Sequence, residues 1–427
     1  MAAAVRAAER GAKVTVFEAA RVLGGRARRV EYQGSILDNG QHILSGAYRE
    51  CLKLMDLVGV PARHLKRVPL NLAIPPHFRL RAPLLPAPLH MAAALVGAQG
   101  LSIIDRLRAI SLMQHLKSKA FLIEPDCTVD TLLAAQGQSP ALISHLWQPL
   151  TVSALNTPVH SASAQVFANV LRDALAGARE ASDLLLPTTD LTTLFPEPAA
   201  HWLAARGHRV ATGIAVAGLQ LEGEKITLTG PAHLAGQAYD AAILAVGPHQ
   251  RAPLLASLPE TSIRDAPHFS PEPIVTIYLA FAEDSPPLAE AMLGRATGVA
   301  QWFFDRKLIA NAPSGLRIIA AVISASGAHE ALDNDALVAQ VSGELAVLSP
   351  AHHTPLWTKV IREKFATFSC TPNANRARPS MRTHLPRLYL AGDDVKNPER
   401  QYPATLEGAI RNGLAAADAA LSDLHQP

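Results

Sequence analysis

Apolar residues at the start of the chain keep two rhythms. Ala2 to Arg10 carries its apolar side chains on one helical face and Gly11 is a natural stop. Lys13 to Glu18 (KVTVFE) then turns to a short β-branched strand. Helix followed by strand is the second half of a β-α-β unit that holds a dinucleotide. The first strand of such a unit and its Gly-x-Gly-x-x-Gly turn are expected in front of Met1. Without them the chain is expected to bind its nucleotide poorly.

Two further blocks have the same α/β texture. Gly207–Gly230 (GHRVATGIAVAGLQLEGEKITLTG) leads to Tyr239–Pro248. Near the end, Arg387–Asp394 (RLYLAGDD) precedes the helical ATLEGAIRNGLAAADAAL. Between them, residues from about 61 to 196 are Leu- and Ala-rich with helical periods such as IIDRLRAISLMQHLKS. Residues 261 to 366 hold strands (PIVTIYLAFA, AQWFFDR, RIIAAVIS) and one helix, NDALVAQVSGELAVL, that starts from an Asn/Asp cap. The pattern predicts an α/β protein. A nucleotide-binding domain built from residues 1–60, 197–260 and 367–427 alternates with an inserted mixed α/β substrate domain, 61–196 and 261–366.

Composition narrows the class. A hydrophobic content of 49% against 18% charged residues predicts an ordered globular protein, at the apolar end of that range with a mean hydropathy of +0.13. The net charge of +3 is small for 427 residues and its cations are scattered, which gives nucleic-acid binding little support. Cys51, Cys127 and Cys370 are far apart and read as buried reduced thiols of a cytoplasmic protein. Arg6, Glu9, Arg10 and Lys13 interrupt any secretory signal. One stretch, Ala82–Ile104, lacks formal charge, but Pro83, Pro86 and Pro88 break it and Gly97 and Gly100 weaken it. It reads as a buried or interfacial segment rather than a membrane span.

Candidate chemistry begins at Glu18, the acidic residue ending a strand, which in a dinucleotide unit accepts hydrogen bonds from ribose hydroxyls. Gly24 and Gly25 let a backbone approach a phosphate, and Arg26 supplies charge for a pyrophosphate. VTVFEAARVLGGRARRV resembles the start of the flavin-containing amine oxidase and phytoene desaturase superfamily. LDNGQHILSGAY (Leu37–Tyr48), QPLTVSALNTP (Gln148–Pro158) and LAGDD with YPATLEGAIRNG resemble its squalene-associated FAD-dependent desaturase branch, the hydroxysqualene dehydroxylases. The likeness runs from Met1 to about Asp418.

That resemblance implies a Rossmann-like FAD-binding domain and FAD as cofactor. It implies Glu18 on the adenosine ribose, Gly24, Gly25 and Arg26 along the pyrophosphate, and Val216 against the adenine. Gly392 and Asp393 would meet the pyrophosphate and ribitol, and Thr405, Leu406, Glu407 and Gly408 would open a helix under the flavin. The Asp38–His42 turn would pass the isoalloxazine ring, with Asn39 and Gly40 at the cofactor. An imidazole or carboxyl in an apolar cleft can protonate a leaving hydroxyl, so Asp38 and His42 are the catalytic candidates.

The implied reaction is reductive dehydroxylation of hydroxysqualene to squalene, in squalene and hopanoid biosynthesis. The partners implied are this polyprenyl substrate, a peripheral contact at the inner membrane surface through residues 84–101, and other enzymes of squalene synthesis. Two alternatives stay open: a carotenoid-type desaturase using oxidised FAD, and a flavin-deficient, non-catalytic lipid-binding homologue. His-Glu-Ala-Leu-Asp (His329–Asp333) lacks the second histidine of a zinc protease, no metal site is expected, and neither a Gly-x-Ser-x-Gly nor a P-loop is present.

Overall fold

The computed structural model describes residues 1–234, 237–258, 269–310 and 315–424, and its largest sheet grows around the strand Pro271–Ala282. That strand is the continuous apolar run PIVTIYLAFA, as expected of a strand buried on both faces. Val275, Ile277, Leu279 and Phe281 point to one side, where Leu337, Val341 and Leu345 of the helix Asn334–Leu348 cover them. Tyr278 and Ala280 point to the other, onto a helical layer that includes Leu112, Leu133 and Phe167. The five strands are antiparallel, in the order Met292–Gly294, Trp302–Asp305, Leu316–Ser324, Pro271–Ala282 and Trp357–Phe368.

Local chemistry sets the helices. Ser102 and Asp105 form a capping box that starts Ile103–Ser118, and Asp333 caps Asn334–Leu348 through the Ala336 N–H. In the Ala82–Ile104 stretch, the chain around Pro83 and Pro86 is not helical. The helix Leu89–Val96 begins after Pro88 and gives way at Gly97. No helix among the described residues is long and apolar enough to cross a membrane.

The α/β part contains two parallel strand pairs. Thr15–Glu18 pairs with Arg209–Thr212, so that Glu18 lies opposite Thr212, and Ala242–Leu244 pairs with Leu388–Leu390. Helix Ala2–Glu9 packs against helix Leu406–Leu424 at close range. A Cβ on Gly413 would stand 3.2 Å from the Ala2 Cβ, so glycine is what lets the two backbones meet there. Arg6 clamps the same pair by donating twice to Asp418, at 2.8 and 3.0 Å. Free Cys51 and Cys370 are buried and Cys127 is partly so.

Candidate functional site

A cavity of about 1950 Å³ extends from the slot beside the two parallel strand pairs to the inner face of the large sheet. Its polar end is built by chain turns. Glu18 reaches the wall from the end of its strand and accepts from the Ala20 N–H at 2.8 Å, which fixes the carboxylate. Gly24 has φ +119, a region L side chains rarely adopt, and a Cβ there would sit 2.3 Å from the Ala27 carbonyl oxygen. Gly25, with φ +60, opens onto the cavity with nothing near its Cβ position. Arg26 Nη2 donates to both carboxylate oxygens of Asp393 at 2.8 Å, and its Nη1 donates to the Ala366 carbonyl at 2.6 Å. Asp393 thereby keeps Arg26 still more firmly protonated than usual. Val216, Gly392, Thr405, Leu406 and Glu407 also reach the wall.

Two of the expected residues stand behind it. Gly408 is tucked under the turn that precedes its helix, where a Cβ would meet the Pro403 carbonyl oxygen at 3.0 Å. Its N–H donates to Thr405 Oγ1, the cap of that helix end. Asp38 is held in the scaffold. Its Oδ1 accepts from the Leu191 N–H at 2.8 Å, Arg306 approaches its Oδ2 at 3.5 Å, and its carbonyl accepts from the Tyr278 hydroxyl at 2.8 Å. Glu407 lines the cavity yet also works structurally, since its two carboxylate oxygens accept from the Glu50 and Cys51 N–H groups and cap the helix Arg49–Leu57.

Asn39, Gly40, Gln41 and His42 do face the cavity. Asn39 Nδ2 donates to Glu363 Oε2 at 2.9 Å, and Gln41 is pinned at both ends of its amide. Arg306 donates to its Oε1 at 3.1 Å and its Nε2 donates to the His42 carbonyl at 3.2 Å. Burial, with Arg26 nearby, pushes the His42 imidazole down to about 4. Burial also pushes the Asp38 carboxyl up to about 6, against the pull of Arg306. At neutral pH this turn therefore shows the cavity neutral hydrogen-bonding groups, with the charged Asp38–Arg306 pair behind them.

Several participants carry no local sequence signal. Tyr278, on the strand Pro271–Ala282, and Arg306, at the start of the short helix Arg306–Ile309, reach Asp38 from more than 200 residues away in the chain. The Thr276 hydroxyl is buried beside Gly40 with no hydrogen-bond partner among the described residues. Asn156, in the quoted ALNTP segment, ends the helix Gln148–Leu155 with φ 47. Its amide joins Thr367, Pro273 and Ala325 at the cavity wall. Beyond it the cavity becomes apolar, lined by Leu70, Leu72, Phe167, Met292, Trp302 and Phe304.

The polar end has the donor set that FAD requires. It offers a carboxylate at a strand end for vicinal hydroxyls, a guanidinium and glycine turns for a pyrophosphate, and a neutral amide-rich turn for the ring. The fold around it is shared. Residues 1–421 match the family model described as flavin containing amine oxidoreductase. The chain is 29% identical to a hydroxysqualene dehydroxylase from Rhodopseudomonas palustris and 28% identical to one from Zymomonas mobilis, each over 99% of this chain and 96% of the relative. A crystal structure of a putative protoporphyrinogen oxidase from Exiguobacterium sp. 255-15 superposes with a TM-score of 0.71 at 16% identity, covering 100% of this chain and 96% of that one.

Proposed function

The chain belongs to the flavin containing amine oxidoreductases and is an FAD-dependent oxidoreductase, and from that premise we propose that it reduces hydroxysqualene to squalene. The observation that carries the reading is the shape and lining of the cavity. At about 1950 Å³ it is roughly twice the upper end of the usual range for small-molecule sites, and its inner half is apolar. It can take a dinucleotide at the polar end and a long hydrocarbon at the other, with the Asn39–His42 turn at the junction. Similarity to hydroxysqualene dehydroxylases over 99% of the chain supports the same substrate.

FAD would be held by Glu18, Gly24, Gly25, Arg26, Gly392 and Asp393, with Val216 at the adenine and Thr405 to Glu407 at the ring end. In its reduced form it supplies the hydride and proton that replace a hydroxyl by hydrogen and release water. The protein's own part is to position that hydroxyl. His42, neutral at pH 7, donates a ring N–H to the departing oxygen, and Gln41, locked by Arg306, fixes the turn. Asp38 acts through that turn as a positioning residue. The apolar walls exclude water from the carbon that loses its hydroxyl. In the cell the enzyme works peripherally at the inner membrane surface, beside the enzymes that make its substrate, and supplies squalene for hopanoids.

Incubating the purified protein with pre-reduced FAD and hydroxysqualene is expected to give squalene. A product with an added double bond, formed with oxidised FAD, would instead identify a desaturase, and unchanged substrate under both conditions would sink the enzymatic reading. Glu18→Ala removes a charge-assisted hydrogen-bond acceptor and is expected to weaken FAD binding by roughly 10- to 100-fold with little change in melting temperature. Titration followed by flavin fluorescence measures this, and an unchanged dissociation constant would remove Glu18 from the site.

A further inference from the structure

The segment from Pro83 to Leu107 leaves large apolar side chains in water on two adjoining helices. Leu84 and Leu85 precede the helix Leu89–Val96, which exposes Leu89 and Val96 seven residues apart on one face. The helix Ile103–Ser118 exposes Ile103, Ile104 and Leu107 at the same helical spacing, with Leu84 and Ile103 at 74% and 72% exposure. Arg106 ties the two helices together, donating to the Val96 and Ala98 carbonyls. The exposed side chains therefore gather at one corner. A contiguous apolar face of this kind marks an interaction surface.

Charge selects the partner. Between residues 77 and 123 the formal charges are Arg79, Arg81, Arg106, Arg108, Lys117 and Lys119 against the single acid Asp105. Asp105 is buried and committed to its helix cap, whereas Arg81, Arg108, Lys117 and Lys119 are exposed. Apolar side chains on a helix pair, with exposed cations around them outnumbering the exposed Glu124 and the Arg79-paired Glu290, suit an anionic lipid surface.

A hollow of about 320 Å³, lined by Pro69, Arg81, Ala82, Pro83 and Leu84, opens on the same corner. Leu70, next to Pro69, lines the apolar end of the main cavity, and its carbonyl accepts from the Ala82 N–H at 2.9 Å. Pro69 of the surface hollow and Leu70 of the apolar cavity wall are thus neighbours in the chain.

We infer that the corner formed by residues 83–107 docks on an anionic lipid bilayer and presents the hollow beside Leu70 to it as the entrance for an apolar substrate. The entrance role rests on the hydrocarbon reading given above; the docking does not. The test is flotation of the full-length protein, without substrate, on phosphatidylcholine vesicles with or without about a third phosphatidylglycerol. The protein is expected to float with the anionic vesicles. Leu84→Ser/Leu89→Ser/Ile103→Ser is expected to lower binding on the order of 100-fold. Lys117→Gln/Lys119→Gln is expected to lower it roughly 5- to 30-fold, on anionic vesicles only.

A bimane label on Ile104→Cys, in a Cys127→Ser background, is expected to shift to the blue on the same vesicles. This reports docking even if the triple serine variant folds poorly. Absence of flotation or label shift, wild-type binding by the triple variant, or a dimer that the triple variant dissolves would each overturn the proposal. Activity on hydroxysqualene in detergent micelles needs no bilayer, so failure of docking and failure of the proposed reaction are separable.

Discussion

Arg251→Leu is expected to cost about 3–5 kcal/mol of folding stability, the penalty for leaving one partner of a buried ion pair alone. Arg251 is 5% and Asp394 1% exposed by side chain, and the guanidinium donates to both carboxylate oxygens at 2.5 and 2.8 Å. The pair braces the turn that carries Asp393 and Gly392 to the cavity. Gly392 has φ +141, and a Cβ on it would fall 3.0 Å from Asp394 Oδ1 and 3.3 Å from Arg251 Nη2.

Burial already holds the Asp394 carboxyl above its usual range even with Arg251 present. Without the cation its folded-state pKa rises further, so the folded form binds a proton that the unfolded form releases. The deficit of Arg251→Leu should therefore be largest at neutral pH and shrink as pH falls toward the unfolded carboxyl range. Arg251→Leu/Asp394→Leu removes both charges and should recover most of the loss. Denaturant midpoints at several pH values measure all three effects. A deficit below about 1 kcal/mol, or one that ignores pH, would show that the pair does not brace the turn.

Why the sequence reveals one half of this site and not the other follows from what local pattern can encode. Glu18 was readable because its strand is β-branched and short, and the residue ending it falls where a strand delivers a side chain to its sheet's end. The Gly24–Gly25 pair was readable because positive φ admits few other residues. Pattern alone sets Asp38 beside the cavity, whereas the fold holds it behind the wall. Asp38 follows Leu37 at the end of the strand Ser35–Asp38, and both are buried, so the strand's alternation stops at the last residue. What turns the Asp38 carboxylate away from the cavity is Leu191 and Arg306, and no period in the sequence links position 38 to either.

Gly408 and Glu407 show the same limit at helical scale. The helix period leaves open which neighbour each faces, and here Glu407 is taken by the start of Arg49–Leu57. Three strands of the large sheet, by contrast, are legible because their burial requires unbroken apolar runs, whereas Met292–Gly294 is too short and Trp357–Phe368 too polar to show one.

Wild-type stability is expected to change little between about pH 4 and pH 6 on account of Asp38 and His42, because their contributions oppose each other there. The Asp38 carboxyl is raised from 3.8 to about 6 in the folded protein. Through that window the folded state holds a proton the unfolded state has lost, and stability falls as pH rises, by about 3 kcal/mol in all. The His42 imidazole is lowered from 6.5 to about 4. Through nearly the same window the unfolded state holds the proton, and stability rises with pH, by at most about 3 kcal/mol since His42 borders the cavity.

Single substitutions should unmask each slope. Asp38→Asn keeps an acceptor for the Leu191 N–H and is expected to leave stability rising from pH 4 to 6.5. His42→Gln keeps a polar side chain at the wall and is expected to leave it falling from pH 4 to 6. The measurement is the difference between each variant's pH profile of unfolding free energy and that of wild type, so that other titrating groups cancel. Profiles parallel to wild type would mean that neither group is displaced as its burial implies.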